Sequence, residues 1–354
     1  MPAEKQETQK KGEPETIIIG ISGPSSSGKT TLARLLRTVF AVHGMKTFII
    51  HEDDFYYPDD RIPYTTTPSG KTVQDWDTVN AIDVNFLSST LAYVRKHGAL
   101  PPRLKSKEDQ NEAHDSGVDG ATVQRLREQV TDRLKGKKRI ASTTTTDGDG
   151  QNGKLTVAFL EGFLLYAPPE SENPNHILRS IHDNIHLHLF LPAPYSIVKQ
   201  RREARSGYVT IGPDPTPPSK RNVSGEDTTS KDEQERQQQQ QQQQEEVDLH
   251  REDDSQPQNF WVDPPGYVDD IVWPRYVQDH AWLLLSEADG KPLQREQEEK
   301  RLGTEELIQR VGEGTNVRTD AGVTVAPGKG RLSMTEVLGW AVDEVVRCLE
   351  EKED

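Results

Sequence analysis

The chain has 354 residues, a formal net charge of −15 at pH 7 and a hydrophobic content of 32%. No stretch approaches the ~20 apolar residues that cross a membrane, and the charged residues 1–15 contain no secretory signal. A single cysteine, Cys348, excludes a disulfide framework within a monomer and a multi-cysteine zinc site, while the acidic balance argues against nucleic-acid binding. We therefore expect a soluble protein of the cytoplasm, with the nucleus left open, that binds neither nucleic acid nor a membrane.

The predicted elements begin with a buried strand at 16–21, an unbroken apolar run that is too short for a helix. An amphipathic helix follows at 32–39, Gly44 ends it, and a second strand is predicted at 46–50. This order of strand, loop, helix and strand is typical of a doubly wound α/β domain. Apolar patterning predicts the remaining elements, namely strands at 155–160, 185–191 and 281–285 and helices at 79–93, 194–205, 268–279 and 334–350.

Polar segments interrupt this plan at about 101–153, 214–256 and 288–332. We expect a disordered tail at 1–15 and one domain over 16–352 that these three insertions interrupt. The first two insertions are expected to loop outward without touching the chemistry. In the first insertion, the apolar residues follow helical spacing and predict one short amphipathic helix; they are Val123, Leu126, Val130 and Leu134.

The second insertion, 214–256, contains 12 acidic and five basic residues, with a run of glutamines at 237–244. A segment with so few apolar side chains cannot form a core of its own. We expect a solvated low-complexity loop, and a protein partner of the glutamine-rich run is the open alternative.

A phosphate-binding loop stands between the first strand and the first helix and matches the pattern GxxxxGK[ST]. Its glycines let backbone N–H groups turn toward phosphate oxygens, and the following helix offers its positive N-terminus. Lys29 would neutralise the terminal phosphates, and the Thr30 hydroxyl would bind Mg²⁺. The residues predicted to bind the nucleotide here are Gly23, Pro24, Ser25, Ser26, Ser27, Gly28, Lys29, Thr30 and Thr31.

The pattern alone leaves GTPases, ATPase motors and small-molecule kinases as alternatives, although the guanine-reading Asn-Lys-x-Asp stretch of GTPases is absent. A kinase needs a carboxylate near the γ-phosphate that takes a proton from the acceptor hydroxyl. Asp53 and Asp54 follow the second strand, at the edge of the sheet where ligands bind in such folds. Glu161 ends another buried strand, in a position suited to a magnesium ligand. Each acid also has an ordinary interpretation as a turn or surface residue.

Two further segments suggest ligand binding. The first is Asp75-Trp76-Asp77. It suggests an exposed aromatic shelf for a planar base beside an acid for ribose hydroxyls, although the residues alone favour a loop tryptophan that covers a core edge. The second is a basic helix before Gly207 with Arg201, Arg202 and Arg205. Arginines leading into a flexible segment suggest a lid that closes over a triphosphate.

Together these segments resemble the nicotinamide riboside kinases, which are uridine kinase-like P-loop kinases. The long polar loops resemble those of a fungal member of that family. The matching blocks occur in the order of that family and cover roughly 16–100, 154–210 and 259–290. They are Ile18-Ile-Gly-Ile-Ser-Gly, Ser27-Gly-Lys-Thr-Thr-Leu-Ala33, Asp53-Asp-Phe-Tyr56, Leu160-Glu-Gly-Phe-Leu-Leu165, Arg201-Arg202 and Pro265-Gly-Tyr with Val272-Trp-Pro274. The resemblance implies a P-loop kinase fold, a doubly wound parallel sheet flanked by helices, with a lid.

The resemblance also implies the activity. ATP would phosphorylate the 5′-hydroxyl of nicotinamide riboside, and of nicotinic acid riboside, to the mononucleotide in NAD biosynthesis, with Mg²⁺ as cofactor. Separately, we expect the protein to be a monomer. Asp53 would be the catalytic base, and the magnesium ligands would be Thr30, Asp53 and Glu161. Arg201 and Arg205 would face ATP. The riboside site would comprise Asp53, Asp54, Phe55, Tyr56, Trp76, Asp77, Arg202 and Tyr208.

Two other functions stay open. A uridine or cytidine kinase would share the fold and the phosphate-binding loop, but the segment around Trp76 and the block ending at Pro274 favour the nicotinamide branch. A non-catalytic nucleotide-binding regulator would be expected to have lost Lys29, Asp53 or a lid arginine, and all of them are present.

Overall fold

The computed structural model describes most of the chain between residues 16 and 352. The described residues are 16–42, 45–104, 106, 115–135, 155–213, 215, 249, 257–288, 290–293 and 303–352. Several predicted features fall on residues outside these ranges. These features are the tail at 1–15, the helix end at Gly44, the glutamine run at 237–244 and nearly all of the second insertion.

A five-stranded parallel sheet forms the centre of the protein. The strands in chain order are β1 (Thr16–Ser22), β2 (Met45–His51), β3 (Tyr64–Thr66), β4 (Thr72–Gln74), β5 (Leu155–Glu161), β6 (Leu187–Phe190), β7 (Tyr208–Ile211), β8 (Gln258–Trp261) and β9 (Thr324–Val325). The large sheet has the order β2-β5-β1-β6-β9, and all of its pairs are parallel. Because β1 lies between β5 and β6, every one of its residues is buried, as its unbroken apolar run predicts.

Helices cover both faces of this sheet, which confirms the expected α/β class. They are α1 (Lys29–Val39), α2 (Val84–His97), α3 (Gly120–Leu134), α4 (Arg179–His182), α5 (Tyr195–Glu203), α6 (Trp273–Asp279), α7 (Thr304–Val311) and α8 (Met334–Glu351). One hydrophobic core lies under α1, α3 and α8, with Leu36, Val130 and Val345 fully buried. The other lies under α2 and α6, with Leu91 and Val277 fully buried.

The strand predicted at 281–285 is wrong. Leu284 and Leu285 form only isolated bridges to Val317 and Pro292, outside the sheet. Residues 281–284 are apolar because they are buried in the core, and a short apolar run does not distinguish a buried loop from a buried strand. The fifth strand of the sheet is β9, which is only two residues long and pairs with β6.

The segment 288–332 is less loop-like than predicted, because its described part contains α7, β9 and buried core residues such as Val311 and Val323. The first insertion also differs from the expectation that it loops outward. The predicted helix is present as α3, and Leu126, Val130 and Leu134 pack with α1 and α8. The division into one domain with insertions remains a prediction.

Two small antiparallel ribbons, β3–β4 and β7–β8, lie beyond the sheet, and the second pairs Tyr208 with Trp261 and Ile211 with Gln258. Among the described residues, none of the helices is both long enough and apolar enough to cross a membrane.

Candidate functional site

The loop between β1 and α1 has the geometry of a phosphate-binding loop. Gly23 and Gly28 have φ values of 149° and 99°, and Ser26 has a positive φ of 59°. A Cβ atom on Gly23 would lie 2.3 Å from the carbonyl oxygen of Leu191, so a larger residue does not fit there. Gly28 is the N-cap of α1, and the loop therefore wraps around the positive end of that helix.

Lys29 lies beneath this loop, where its Nζ donates a hydrogen bond to the carbonyl oxygen of Pro24 at 3.0 Å. Burial lowers the pKa of Lys29, and the nearby carboxylates of Glu161 and Asp53 oppose that shift. The ammonium group of Lys29 is thus held on the inner side of the loop, near the carbonyl oxygen of Pro24 and two carboxylates.

Glu161 connects the loop to the strand ends. It is the last residue of β5 and is paired in register with His51 at the end of β2. Its Oε1 accepts a hydrogen bond from Thr30 Oγ1 at 3.1 Å and lies 2.7 Å from His51 Nδ1. Burial alone would raise the pKa of Glu161, but the contact with His51 and the charge of Lys29 hold it below its usual value.

These residues fit a magnesium ion that is completed by phosphate oxygens and water. Mg²⁺ prefers oxygen ligands and usually takes only one or two carboxylates together with substrate phosphates. Thr30 and Glu161 supply a hydroxyl and a carboxylate in contact, and Asp53 lines the same cleft. Among the described residues, no group of three or more His, Cys, Asp and Glu side chains is placed to hold a metal ion by itself.

Glu52 braces the end of β5 and was not singled out from the sequence. Its Oε2 accepts hydrogen bonds from the backbone N–H groups of Phe163 at 2.6 Å and Leu164 at 3.1 Å. A Cβ on Gly162 would lie 2.3 Å from the same oxygen, so the glycine permits this approach. Burial raises the pKa of Glu52 to about 8. The only sequence signal was its place in the acidic triplet 52–54.

A cleft begins at the phosphate-binding loop and extends to an aromatic and acidic end. The residues that line it are Ser25, Ser26, Lys29, Thr30, Asp53, Tyr56, Trp76, Asp77, Glu161, Gly162, Phe163, Arg202, Arg205, Tyr208, Val209, Thr210 and Trp261. The structure therefore brings together most of the predicted site residues. Those predicted from the sequence that lie outside this lining are Gly23, Pro24, Ser27, Gly28, Thr31, Asp54, Phe55 and Arg201.

Two of the outlying residues have clear structural surroundings. Phe55 is 1% exposed and packs in the core with its ring centroid 4.9 Å from that of Phe86. Arg201 donates a hydrogen bond from Nη1 to the carbonyl oxygen of Ser26 at 3.3 Å, so it contacts the phosphate-binding loop from outside the cleft.

The aromatic end of the cleft is built around Trp76. This side chain is only 6% exposed, so the expectation of an exposed shelf is wrong, although its surface still lines the cleft. Tyr56 meets it edge to face at a centroid distance of 5.3 Å, and Trp261 packs on it at 5.7 Å. Asp75 belongs to another contact, because its Oδ2 accepts from Arg275 Nη2 at 2.6 Å.

Arg202 forms the charged side of that end. A guanidinium has five N–H donors, and the contacts of Arg202 use all of them. Nη1 and Nη2 donate to the two oxygens of Asp77 at 3.1 and 3.2 Å. Nε and Nη2 donate to Asp263 at 2.8 and 3.2 Å, and Nη1 also donates to Ser25 Oγ at 2.9 Å.

The sequence did not identify Asp263, Trp261, Val209 or Thr210 as site residues. They lie on the β7–β8 ribbon and just after it, and the ribbon is formed by pairing segments from either side of the second insertion. Near its start, Arg205 donates to the Tyr208 hydroxyl at 3.0 Å, which places both predicted residues at the mouth of the cleft. The adjacent aromatic residues Phe260 and Trp261, close before Asp263, were the available signal.

The parallel sheet, its first loop and the acids at neighbouring strand ends define an α/β protein of the P-loop class. The chain is similar to the nicotinamide riboside kinase of Schizosaccharomyces pombe, 25% identical over 336 residues, which cover 95% of this chain and 99% of that protein. The nicotinamide riboside kinase of Saccharomyces cerevisiae is 26% identical over 273 residues, 77% of this chain and 80% of that protein. That of Eremothecium gossypii is 24% identical over 276 residues, with the same coverage. No protein-family profile matches the chain.

Proposed function

We propose that the protein is an ATP-dependent kinase that phosphorylates the 5′-hydroxyl of nicotinamide riboside, and of nicotinic acid riboside, in NAD biosynthesis. The observation that carries this proposal is one cleft with Asp53 on its wall, a phosphate-binding loop at one end and an aromatic and acidic pocket at the other. The three fungal relatives, which are named for this activity, support the choice of substrate.

At the nucleotide end, the backbone of residues 23–31 would bind the phosphates of ATP, and Lys29 would neutralise their charge. Arg205 reaches this cleft from α5 and its following loop, and Arg201 contacts the phosphate-binding loop from the same helix. Both guanidinium groups are suited to phosphate oxygens because their planar fork binds them in pairs.

Phosphoryl transfer depends mainly on positioning and on charge stabilisation. Asp53 would take the proton of the 5′-hydroxyl as that oxygen attacks the γ-phosphorus, and ADP would leave on the opposite side. Thr30, Glu161 and Asp53 would hold Mg²⁺, which, when bound, offsets phosphate charge. Glu52 keeps the chain at Phe163 and Leu164 fixed and so holds the Glu161 strand end in place.

At the other end, Asp77 would accept hydrogen bonds from the ribose hydroxyls. Arg202 would face the riboside and hold the Asp77 carboxylate in place through its two hydrogen bonds to it. Trp76, Tyr56 and Tyr208 would surround the pyridine ring. The pyridinium ring of nicotinamide riboside is cationic, and aromatic faces together with carboxylates attract a cation. Asp54 and Phe55 were also predicted to bind substrate; from their buried positions, they would act by holding the short helix that carries Asp53.

The test is product formation by the purified protein with Mg-ATP, comparing nicotinamide riboside and uridine by chromatography. We expect nicotinamide mononucleotide as the main product, and Asp53→Asn should abolish turnover while ATP binding persists. The exposed Asp60, replaced by Asn in the same way, is the control and should keep wild-type turnover. Turnover of uridine alone would favour a uridine kinase, and ATP binding without turnover of either would favour a regulator.

A further inference from the structure

The β7–β8 ribbon covers the riboside end of the cleft. Val209 and Thr210 of β7 and Trp261 of β8 line the cleft, and Tyr208, at the start of β7, is paired with Trp261. Residues from both strands therefore form part of the wall that faces Trp76 and Asp77.

This ribbon is attached to the body of the protein through Asp59, a side chain only 4% exposed. Asp59 Oδ2 accepts hydrogen bonds from Thr210 Oγ1 at 2.8 Å and from Asn259 Nδ2 at 2.9 Å, one from each strand. At the far end, Gly212 passes so close that a Cβ atom there would lie 2.7 Å from the Asp59 backbone nitrogen. The ribbon is thus docked on the segment that follows Glu52–Phe55, the short helix that carries Asp53.

Trp261 links the two parts of the riboside end. Its ring packs on Trp76 at a centroid distance of 5.7 Å. Its Nε1–H donates a hydrogen bond to Asp263 Oδ1 at 2.9 Å, and Asp263 in turn pairs with Arg202. The neighbouring Phe260 points the other way and is 59% exposed, as alternation along a strand requires.

We propose that Trp261 is a positioning residue of the riboside site: it holds the Trp76 ring with its own ring and the Asp263–Arg202 pair with its indole N–H. This inference rests on the proposed function, since Trp76 is assigned there to the pyridine ring and Arg202 to holding the Asp77 carboxylate. It adds a residue from the ribbon that is remote in sequence from the other aromatic residues lining the cleft.

A substitution at Trp261 should therefore change the KM for the riboside and leave the KM for ATP nearly unchanged. Loss of an aromatic contact and of one hydrogen bond to a carboxylate should raise the KM for nicotinamide riboside roughly tenfold. The KM for ATP should stay within about twofold of wild type, because the direct contacts of Trp261 with Trp76 and Asp263 lie at the riboside end of the cleft. A residue that only stabilised the fold would change both constants, or neither.

The experiment compares Trp261→Leu, Trp261→Phe and the control Phe260→Leu in the full chain. Steady-state kinetics with each substrate varied in turn give both KM values, and thermal unfolding reports stability. We expect Trp261→Leu to raise the riboside KM alone. Trp261→Phe should raise it less, because a ring still packs on Trp76 while the N–H is lost. Phe260→Leu should match wild type in both constants.

Two results would overturn the inference while leaving the proposed function intact. One is an unchanged riboside KM in Trp261→Leu; the other is an equal rise in both KM values with a lowered unfolding temperature. A wild-type protein that does not phosphorylate nicotinamide riboside at all would overturn the proposed function, and this inference with it.

Discussion

Arg202 and Asp77 form a buried two-pronged ion pair, in which Nη1–Oδ1 is 3.1 Å and Nη2–Oδ2 is 3.2 Å, and the two side chains are 8% and 6% exposed. Asp263 pairs with the same guanidinium, so two carboxylates share one positive charge. The excess negative charge at this end of the cleft suits a cationic ring, and it distinguishes the pocket from one built for a neutral pyrimidine.

The geometry of Arg202 predicts the effect of Arg202→Lys. A lysine ammonium is a point charge and cannot bond two carboxylates in the same planar arrangement. We expect the KM for nicotinamide riboside to rise about tenfold or more, with a smaller change in the KM for ATP, as the loss of charge-assisted hydrogen bonds suggests. Steady-state kinetics measure both constants.

The matched control is Arg201→Lys, one position earlier on α5. Arg201 contacts the carbonyl oxygen of Ser26 in the phosphate-binding loop, so its replacement should affect ATP rather than the riboside. Equal effects of the two variants on both substrates would contradict the division of the cleft into a nucleotide end and a riboside end.

A second prediction concerns His51 and Glu161. Groups that hydrogen-bond a metal ligand orient it, and their loss typically lowers metal affinity by about 10- to 100-fold. His51→Ala should therefore raise the Mg²⁺ concentration for half-maximal rate by about tenfold. His51→Asn keeps an N–H near the position of Nδ1 and should restore most of the wild-type affinity.

Calorimetric titration of Mg²⁺ into the protein with a non-hydrolysable ATP analogue gives a readout independent of turnover. The two variants should differ in metal affinity while their affinity for the analogue alone stays equal. If His51→Ala binds Mg²⁺ as wild type does, the contact at 2.7 Å serves the fold and not the metal site.

The sequence predicted those parts of the site that lie on continuous segments. The run at 16–21, the loop pattern and the helix after it specify β1, the phosphate-binding loop and α1 by local rules. Parallel pairing then brings the ends of β2 and β5 together, so the proximity of Asp53 and Glu161 to the loop was also predictable.

The parts that depend on pairing between distant segments were not predictable. Trp261 and Asp263 enter the site through a ribbon whose partner strand precedes the second insertion, and no local pattern indicates that register. Glu52 acts through backbone N–H groups of Phe163 and Leu164, which only the folded chain brings within reach. β9 is too short to show any periodicity.

A third prediction follows from the ends of the β7–β8 ribbon. Gly212 N donates to the carbonyl oxygen of Pro257 at 3.0 Å, so the chain leaves and re-enters the ribbon at adjacent positions. Joining these positions by a short Asn-Gly turn in place of 213–256 should keep most of the kinase activity, because the lining residues and the Asp59 contacts are retained. Chromatographic assay against wild type tests this, and complete loss of activity with an intact fold would show that the inserted segment takes part in the reaction.

A fourth prediction concerns acid stability and the histidines beside Tyr166. Burial lowers the pKa of His188 to about 3, with the nearby His182 adding to the shift, and its ring stacks on that of His182 at 4.1 Å. An unfolded histidine titrates near 6.5, so the unfolded chain takes up the proton first as the pH falls. The contribution of His188 to the unfolding free energy should therefore be fully present above about pH 6.5 and be lost progressively as the pH falls toward 3.

Replacing His188 by Gln isolates this contribution, because a Gln amide can still donate to the carbonyl oxygen of His182, the contact made by Nε2 at 3.2 Å. Between pH 7 and pH 5, the wild-type unfolding free energy should fall by up to about 2 kcal/mol more than that of the variant, the value for one group protonated only in the unfolded chain. Urea unfolding at pH 5, 6, 7 and 8 measures the difference, with His97→Gln on the exposed end of α2 as the control. A His188→Gln protein that keeps the wild-type pH dependence would assign the loss of acid stability to other groups.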